Sequence, residues 1–296
     1  MKYLEYPLFA EGYVNRFLTA GVFTEVQQFD KVKLHGRVNE WLKKGFAIHE
    51  NPCRKEFVRK RQENMPDYLE LDGAADGKNV EVFGQTRPLI PYFPFGNTGV
   101  DGSGFYYCPT WLRMYSYVLL EAETDCDVEF ELETCGGVTI WVDGAFVTDF
   151  TPFTRNMVKK TTVVLPLKAG KNRLLVCLDD LAERDTDYYF RLKRLGDASL
   201  TMLVPVRDEV DADVIGRMEN MLDQMYFDKE AYISETVKLN ISNPFSCPLP
   251  VTVEVAPGEF IEKMEGQEGL VRTFRYELEQ EQKVLELFES DEIPPG

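Results

Sequence analysis

Between residues 113 and 195 apolar and polar positions alternate in short bursts, each closed by a turn signal. The clearest burst is 126–133, where Val128, Phe130 and Leu132 interleave with Asp127, Glu129, Glu131 and Glu133. This period of two marks a strand with one face buried and one face wet. Further strands are predicted at 113–121, 137–142, 145–150, 161–167, 172–178 and 188–195, with turns at Asp143-Gly144 and Ala169-Gly170-Lys171-Asn172. Short strands without intervening amphipathic helices point to an antiparallel jelly-roll β-sandwich. Upstream, 15–23 reads as a first strand and 37–64 as a small helical insertion, with Pro52 near the start of its second helix. The Gly- and Pro-rich stretch from Asp72 to Gly104 reads as surface loops around at most one short strand at 80–83.

Past residue 205 the pattern changes. Val214, Met218, Met221, Leu222 and Met225 fall at helical spacing behind an acidic start, which predicts a helical linker over 206–230 with its methionines in a core. Strands then follow at 232–243, 249–255, 270–277 and 282–289. The organisation expected is a sandwich over 1–205 with its helical insertion, the linker, and a short second immunoglobulin-like β-sandwich over 231–296. At about 65 residues that last unit is small beside the usual size of about 100, and it reads as truncated or as part of a longer protein.

Charge narrows the function. Fifty acidic against 33 basic residues give a formal net charge of −17, which repels nucleic acid over most of the surface. The basic run Arg54-Lys55 to Arg59-Lys60-Arg61 is interleaved with Glu56 and Glu63 and reads as a solvated helix face. No apolar run approaches the roughly 18 residues that span a bilayer. No membrane partner is therefore expected, and without a visible signal peptide the chain reads as cytoplasmic. The six cysteines lack metal-ligand spacing and read as reduced and mostly buried.

No nucleophile elbow, phosphate loop or dinucleotide fingerprint is present, and the two histidines, His35 and His49, both fall in the helical insertion. The densest carboxylate cluster is Asp179, Asp180, Glu183, Asp185 and Asp187 around Arg184. It reads as a loop tied down by Arg184, with polar contact to sugar hydroxyls, or glycosidase chemistry, as alternatives. Asp72-Gly73-Ala74-Ala75-Asp76-Gly77 partly matches a calcium loop, but Phe83 stands where a bidentate Glu is needed, so a turn is the better reading and no cofactor is expected. Stacking on sugar rings needs exposed aromatics beside groups that pair hydroxyls. Candidates are Tyr106, Tyr107 and Trp111 with Arg113 and Arg155, alongside Asp180 and Arg184. Trp141, flanked by Ile140 and Val142, reads as core.

Three segments carry a family resemblance. Residues 136–150 contain Trp141, Asp143 and Gly144 in a W-x-D-G pattern; 165–178 place Leu167, Lys168, Gly170, Asn172 and Leu174 in an L-K-x-G-x-N-x-L pattern; Phe17-Leu18-Thr19-Ala20-Gly21-Val22-Phe23 follows an opening-strand pattern, with Val22 where proline is usual. Together these resemble the galactose-binding-like jelly rolls at the front of bacterial glycoside hydrolases, over about 110 residues, mostly 105–195. The resemblance implies a non-catalytic accessory region, partnered by carbohydrate or by a C-terminal catalytic domain of the same polypeptide. A free-standing carbohydrate-binding protein, or a self-sufficient glycosidase using the 179–187 carboxylates, are the alternatives.

Overall fold

In a computed structural model, residues 2–28, 52–71, 73–209, 211–255 and 272–290 are described. They fall into two units, Met1–Val210 and Asp211–Gly296. The protein is mainly β, with antiparallel sheets and a small helical insertion.

The first unit runs β1 (Lys2–Leu8), β2 (Phe17–Val26), α1 (Pro52–Glu63), β3 (Asn79–Val82), β4 (Gln85–Pro88), β5 (Ile90–Tyr92), β6 (Val100–Asp101), β7 (Gly104–Ala122), β8 (Cys126–Thr134), β9 (Gly137–Val142), β10 (Ala145–Phe150), β11 (Lys159–Leu167), β12 (Gly170–Thr186), β13 (Tyr189–Arg194) and β14 (Leu200–Val206). The larger sheet is ordered β1-β14-β7-β12-β9-β10, with β2 pairing β7 and β5; the smaller is β11-β8-β13-β6. Strand β7 is 19 residues long. One of its edges is divided between β2 and β14, while β12 follows the other along nearly its whole length. In β8 the expected alternation holds over most of the strand, with Val128, Phe130 and Leu132 buried and Asp127 and Glu129 exposed, but Glu133, expected on the wet face, is buried beneath its ion pairs with Lys160 and Arg191. These side chains, with Phe190 and Leu192 of β13, build the core together with Leu112, Val118 and Leu120 of β7 and Val176 and Leu178 of β12. Fully burying each such side chain stabilises the fold by about 1.5–3 kcal/mol. An edge-to-face contact between Phe17 and Phe190, ring centroids 5.5 Å apart, ties β2 to β13.

Two turns show why the motif residues are where they are. Asp143 and Gly144 sit at φ +49° and +82°, as a two-residue hairpin between β9 and β10 requires. The Asp143 carboxylate accepts from the backbone N–H of Arg173 at 3.0 Å. At the turn between β11 and β12, where the chain crosses from the smaller sheet to the larger, the buried Asn172 side chain accepts from Lys168 N at 2.7 Å. It donates to the carbonyls of Leu120 (3.1 Å), Lys168 (2.9 Å) and Gly170 (3.0 Å). One amide thereby holds the turn and fastens it to β7.

The strands at 137–142 and 145–150 match their predicted bounds, and the other predicted strands of this unit are present with shifted ends. Five strands were not expected: β1, β4, β5, β6 and β14. The stretch 72–104 is therefore less purely loop than its Gly and Pro content suggests. β1 carries Pro7 and lies at a sheet edge, where a missing N–H is tolerated. β14 is buried along nearly its whole length, so it lacks the alternation that would reveal it. Of the predicted helical insertion, 52–63 is helical; the part before it lies outside the described residues.

The second unit contains α2 (Ala212–Asp223), β15 (Tyr226–Phe227), β16 (Thr236–Asn240), β17 (Leu249–Val255), β18 (Arg272–Leu278) and β19 (Val284–Glu289). Its sheets are β15-β16-β19 and β17-β18. Asp211 caps α2, accepting from Asp213 N at 3.0 Å and Val214 N at 3.3 Å. The core is Met221, Val237, Leu239, Ile241, Leu278, Leu285 and Leu287. Within the methionine stripe, Met221 is buried, Met218 half-buried and Met225 exposed.

Candidate functional site

On the face of the larger sheet that carries Trp111 and Asp179, the strand pairings set charged residues among aromatics. Asp179 pairs with Arg113 on β7 and with Gly137 on β9; Cys177 pairs with Tyr115 and Thr139; Leu181 pairs with Trp111. Because side chains two apart share a face, these form contiguous rows. Asp149 on β10 pairs with Thr139 and extends the second row.

Helix α1 covers these rows. It is strongly polar, but Arg54, Phe57 and Arg61 at i, i+3 and i+7 share one face and are buried, while Lys55 and Arg59 are exposed. Arg61 donates to Asp149 Oδ1 at 2.8 Å and Oδ2 at 3.1 Å, to Thr139 Oγ1 at 2.9 Å, and to Asp179 Oδ2 at 3.4 Å. Arg54 donates to Asp180 Oδ1 at 2.5 Å and to the carbonyl of Leu181 at 2.6 Å. Asp179 also accepts from Arg113 Nε at 2.7 Å and from the Trp111 indole N–H at 3.0 Å. Three carboxylates thus face three guanidiniums. This balance makes burial of the cluster tolerable, since an isolated buried charge is far more costly than a paired one. Burial works against the charge on Arg61 and Arg113. The carboxylates, with Asp149 foremost for Arg61 and Asp179 for Arg113, more than offset it, and both pKa values are raised. Burial also raises the pKa of Asp180, against the opposing pull of Arg54.

Aromatic contacts complete the seal. Phe57 meets Trp111 edge-on at 5.3 Å and Phe153 at 5.2 Å, and Phe83 lies 5.3 Å from Trp111. Cys53, Phe57, Trp111, Phe153 and Leu181 form one buried cluster. Trp111 is 2% exposed and has no ring face free for a sugar.

Of the residues singled out from sequence, Trp111, Arg113 and Asp180 lie in or beside this layer, each less than a tenth exposed. Arg155 donates to the carbonyl of Glu183 at 2.7 Å, which ties the loop between β10 and β11 to β12. Arg184 is exposed, at φ +62° beside an irregularity of β12, and Tyr106 pairs with it in register while half-buried. Tyr107 lies on β7, its side chain outside the described set. The residues therefore divide between a buried layer and the paired ends of β7 and β12 with the loop beside them; the segment from Asp179 to Thr186, expected as a loop, continues β12 as a strand paired with β7. Arg54, Arg61, Asp149 and Thr139 were not anticipated. The basic run read as a solvated face is correct for Lys55 and Arg59 but wrong for Arg54 and Arg61, and their helical spacing with Phe57 was the available signal. Asp179 and Asp180 are held by Arg113, Arg61 and Arg54, not by Arg184 as the loop reading had it.

Of the partial calcium loop, Asp72 lies outside the described residues, and Asp76 accepts from Arg207 N at 2.7 Å and Nε at 3.1 Å. Among the described residues no group of three or more His, Cys, Asp or Glu is placed to hold a metal ion. His35 and His49 lie outside the described set. Among the described residues no helix is long and apolar enough to cross a membrane.

Chemically, the charges of the layer are paired with one another, while the buried Arg113 Nη2 and Asp180 Oδ2 meet no hydrogen-bond partner among the described residues. The Asp179 carboxylate is held by Trp111, Arg113 and Arg61 under a helix, an arrangement suited to fixing α1 on the sheet rather than to exchanging protons or ligands. No known protein family matches the sequence, and no curated protein matches it.

Proposed function

We propose that this chain is a non-catalytic accessory region of a larger carbohydrate-active enzyme, a glycoside hydrolase or lyase, in which the sandwich braces the catalytic domain. The observation that carries the bracing role is the sealed sheet face. The residues best equipped to recognise a sugar there, Trp111 and Arg113, are spent on Asp179 beneath α1, which leaves a rigid body rather than a binding cleft. The carbohydrate context rests on the sequence resemblance over 105–195, whose motif residues Asp143, Gly144 and Asn172 have the turn roles that such motifs serve. Turn motifs transfer fold better than function.

The test is to read the source gene past codon 296 and to express its full product with and without residues 1–296. A frame that continues into a carboxylate-bearing catalytic domain, with the shortened enzyme losing heat resistance, is the expected result. A stop codon at that point overturns the reading, as does a shortened enzyme of unchanged heat resistance and activity.

A further inference from the structure

The sheet face that α1 covers near Asp179 carries three tyrosines farther along. Tyr117 on β7 pairs with Leu175 on β12, which pairs with Trp141 on β9, so these three share a row. Tyr3 on β1 pairs with Pro205 on β14; two residues from each, Glu5 pairs with Leu203, and Leu203 pairs with Leu119. Because side chains two apart point the same way, Tyr3 and Tyr117 stand on one face. Tyr68, from the segment after α1, joins them there, its ring 6.2 Å from that of Trp141. A Cβ on Gly144 would meet its hydroxyl at 3.6 Å, which sets the Asp143-Gly144 hairpin beside it.

Tyr117 marks a fork in the sheet. As far as Leu119 one edge of β7 is taken by β14, and from Tyr117 it is taken by β2. The side chain is only 4% exposed. Its hydroxyl has no hydrogen bond among the described residues, yet it is not one of the polar atoms sealed from solvent. Burial pushes this phenol up to about 12, and Tyr68, Tyr3 and Asp143 add to the rise, so these groups gather around it. The hydroxyls of Tyr3 and Tyr68 likewise have no hydrogen bond among the described residues. Such groups take their hydrogen bonds from water or from a ligand. The rim restricts the ligand's charge. Asp143, its side chain 41% exposed, accepts from Arg173 Nε at 3.3 Å, and Lys171 Nζ lies 3.9 Å from the centre of the Tyr3 ring. The two cations oppose a cationic ligand, and Asp143 opposes an anionic one.

We infer that Tyr3, Tyr68, Tyr117 and Asp143 form a binding site for a small neutral molecule rich in hydroxyl groups, of the class of monosaccharides and polyols. Phenol hydroxyls both donate and accept, as the hydroxyls of such a ligand do, and the Asp143 carboxylate adds an acceptor. The site shares no residue with the layer around Asp179. It does not depend on the accessory-module reading, and a stop codon after residue 296 leaves it standing.

The probes are D-glucose, D-xylose and myo-inositol, with glucosamine and glucuronate as charged relatives of glucose, each titrated against the full chain at neutral pH by ligand-observed NMR. At least one neutral probe is expected to bind saturably, and more tightly than either charged one. The deciding variant is Tyr117→Phe, which keeps the buried ring and removes the open hydroxyl. It is expected to weaken binding by about fivefold, the worth of one neutral hydrogen bond. Its thermal transition should not fall, because no hydrogen bond within the protein is lost. Absence of saturable binding by all three neutral probes overturns the inference and leaves water as the partner of these hydroxyls. Tighter binding of a charged relative overturns it too, as does equal binding to Tyr117→Phe and parent. A lowered thermal transition in Tyr117→Phe would make the hydroxyl a structural group and overturn it as well.

Discussion

Replacing Arg61 with alanine removes the guanidinium that joins α1 to three groups on the sheet. In the protein this side chain is 2% exposed and sits 2.8 Å from Asp149 and 3.4 Å from Asp179. Its loss leaves Asp149 facing only the hydroxyl of Thr139, at 2.9 Å, with about a quarter of its side chain open to water. Asp179 keeps Arg113 and Trp111. Breaking a buried ion pair from one side costs about 3–5 kcal/mol, and the partial solvation of Asp149 places this case near the lower end, at about 3 kcal/mol. With an m-value of about 2 kcal/mol/M, the urea midpoint of the first unit falls by about 1.5 M. Tryptophan fluorescence reads this transition, because Trp111 lies under α1. The double variant Arg61→Met/Asp149→Asn removes both charges, preserves much of the volume, and is expected to recover most of the loss. A cost below about 1 kcal/mol for Arg61→Ala, the range of exposed pairs, would refute the reasoning and return Arg61 to the solvated face.

Other consequences can be checked directly. Phe57→Ala empties the contact between Trp111 and Phe153 and should cost about 3–5 kcal/mol in the same urea titration. Asn172→Ala strips the β11–β12 turn of its buried amide and should lower stability by about 2 kcal/mol, read as an earlier thermal transition. Brief alkylation of the native protein should modify Cys108 and Cys247, which are exposed, and spare Cys177 and Cys53. Burial raises the thiol pKa of both, that of Cys53 to about 12, and adduct mapping by mass spectrometry distinguishes the four. Partial burial pushes the Glu133 carboxyl up, but Lys160, Arg191 and Tyr189 more than offset this and hold its pKa below the ordinary 4.5. A depressed folded-state value contributes stability above the unfolded value that is lost as pH falls through the folded one. Glu133→Gln should therefore flatten the acid limb of the stability curve below pH 4.5.

The sandwich was legible in the sequence from β8 to β13 because those strands follow one another with short turns, and several show one face to water. Asp143-Gly144 and Gly170 announced the turns, since the positive φ values there suit few residues. β14 was hidden by being buried almost throughout, and β1 by its proline. The charged layer was hidden for another reason. Alternation shows that Asp179 and Arg113 share a face with their neighbours, but not that a polar helix from elsewhere in the chain lies on top. Arg54, Phe57 and Arg61 at helical spacing were the only local hint, and lysines and glutamates between them obscured it.

The pairing of β1 with β14 runs from Lys2 opposite Val206 to Leu8 opposite Leu200. The unit's first strand is thus completed by its last, about two hundred residues later. On the ribosome, the opening residues have no partner for that edge until nearly the whole unit has been synthesised. Such distant pairing makes for slow closure and a long-lived open edge on nascent chains. Once closed, it sets the entry and exit of the unit side by side, so joining them through a short linker and opening the chain at an exposed turn such as Asp143-Gly144 should give a permuted protein of the same fold.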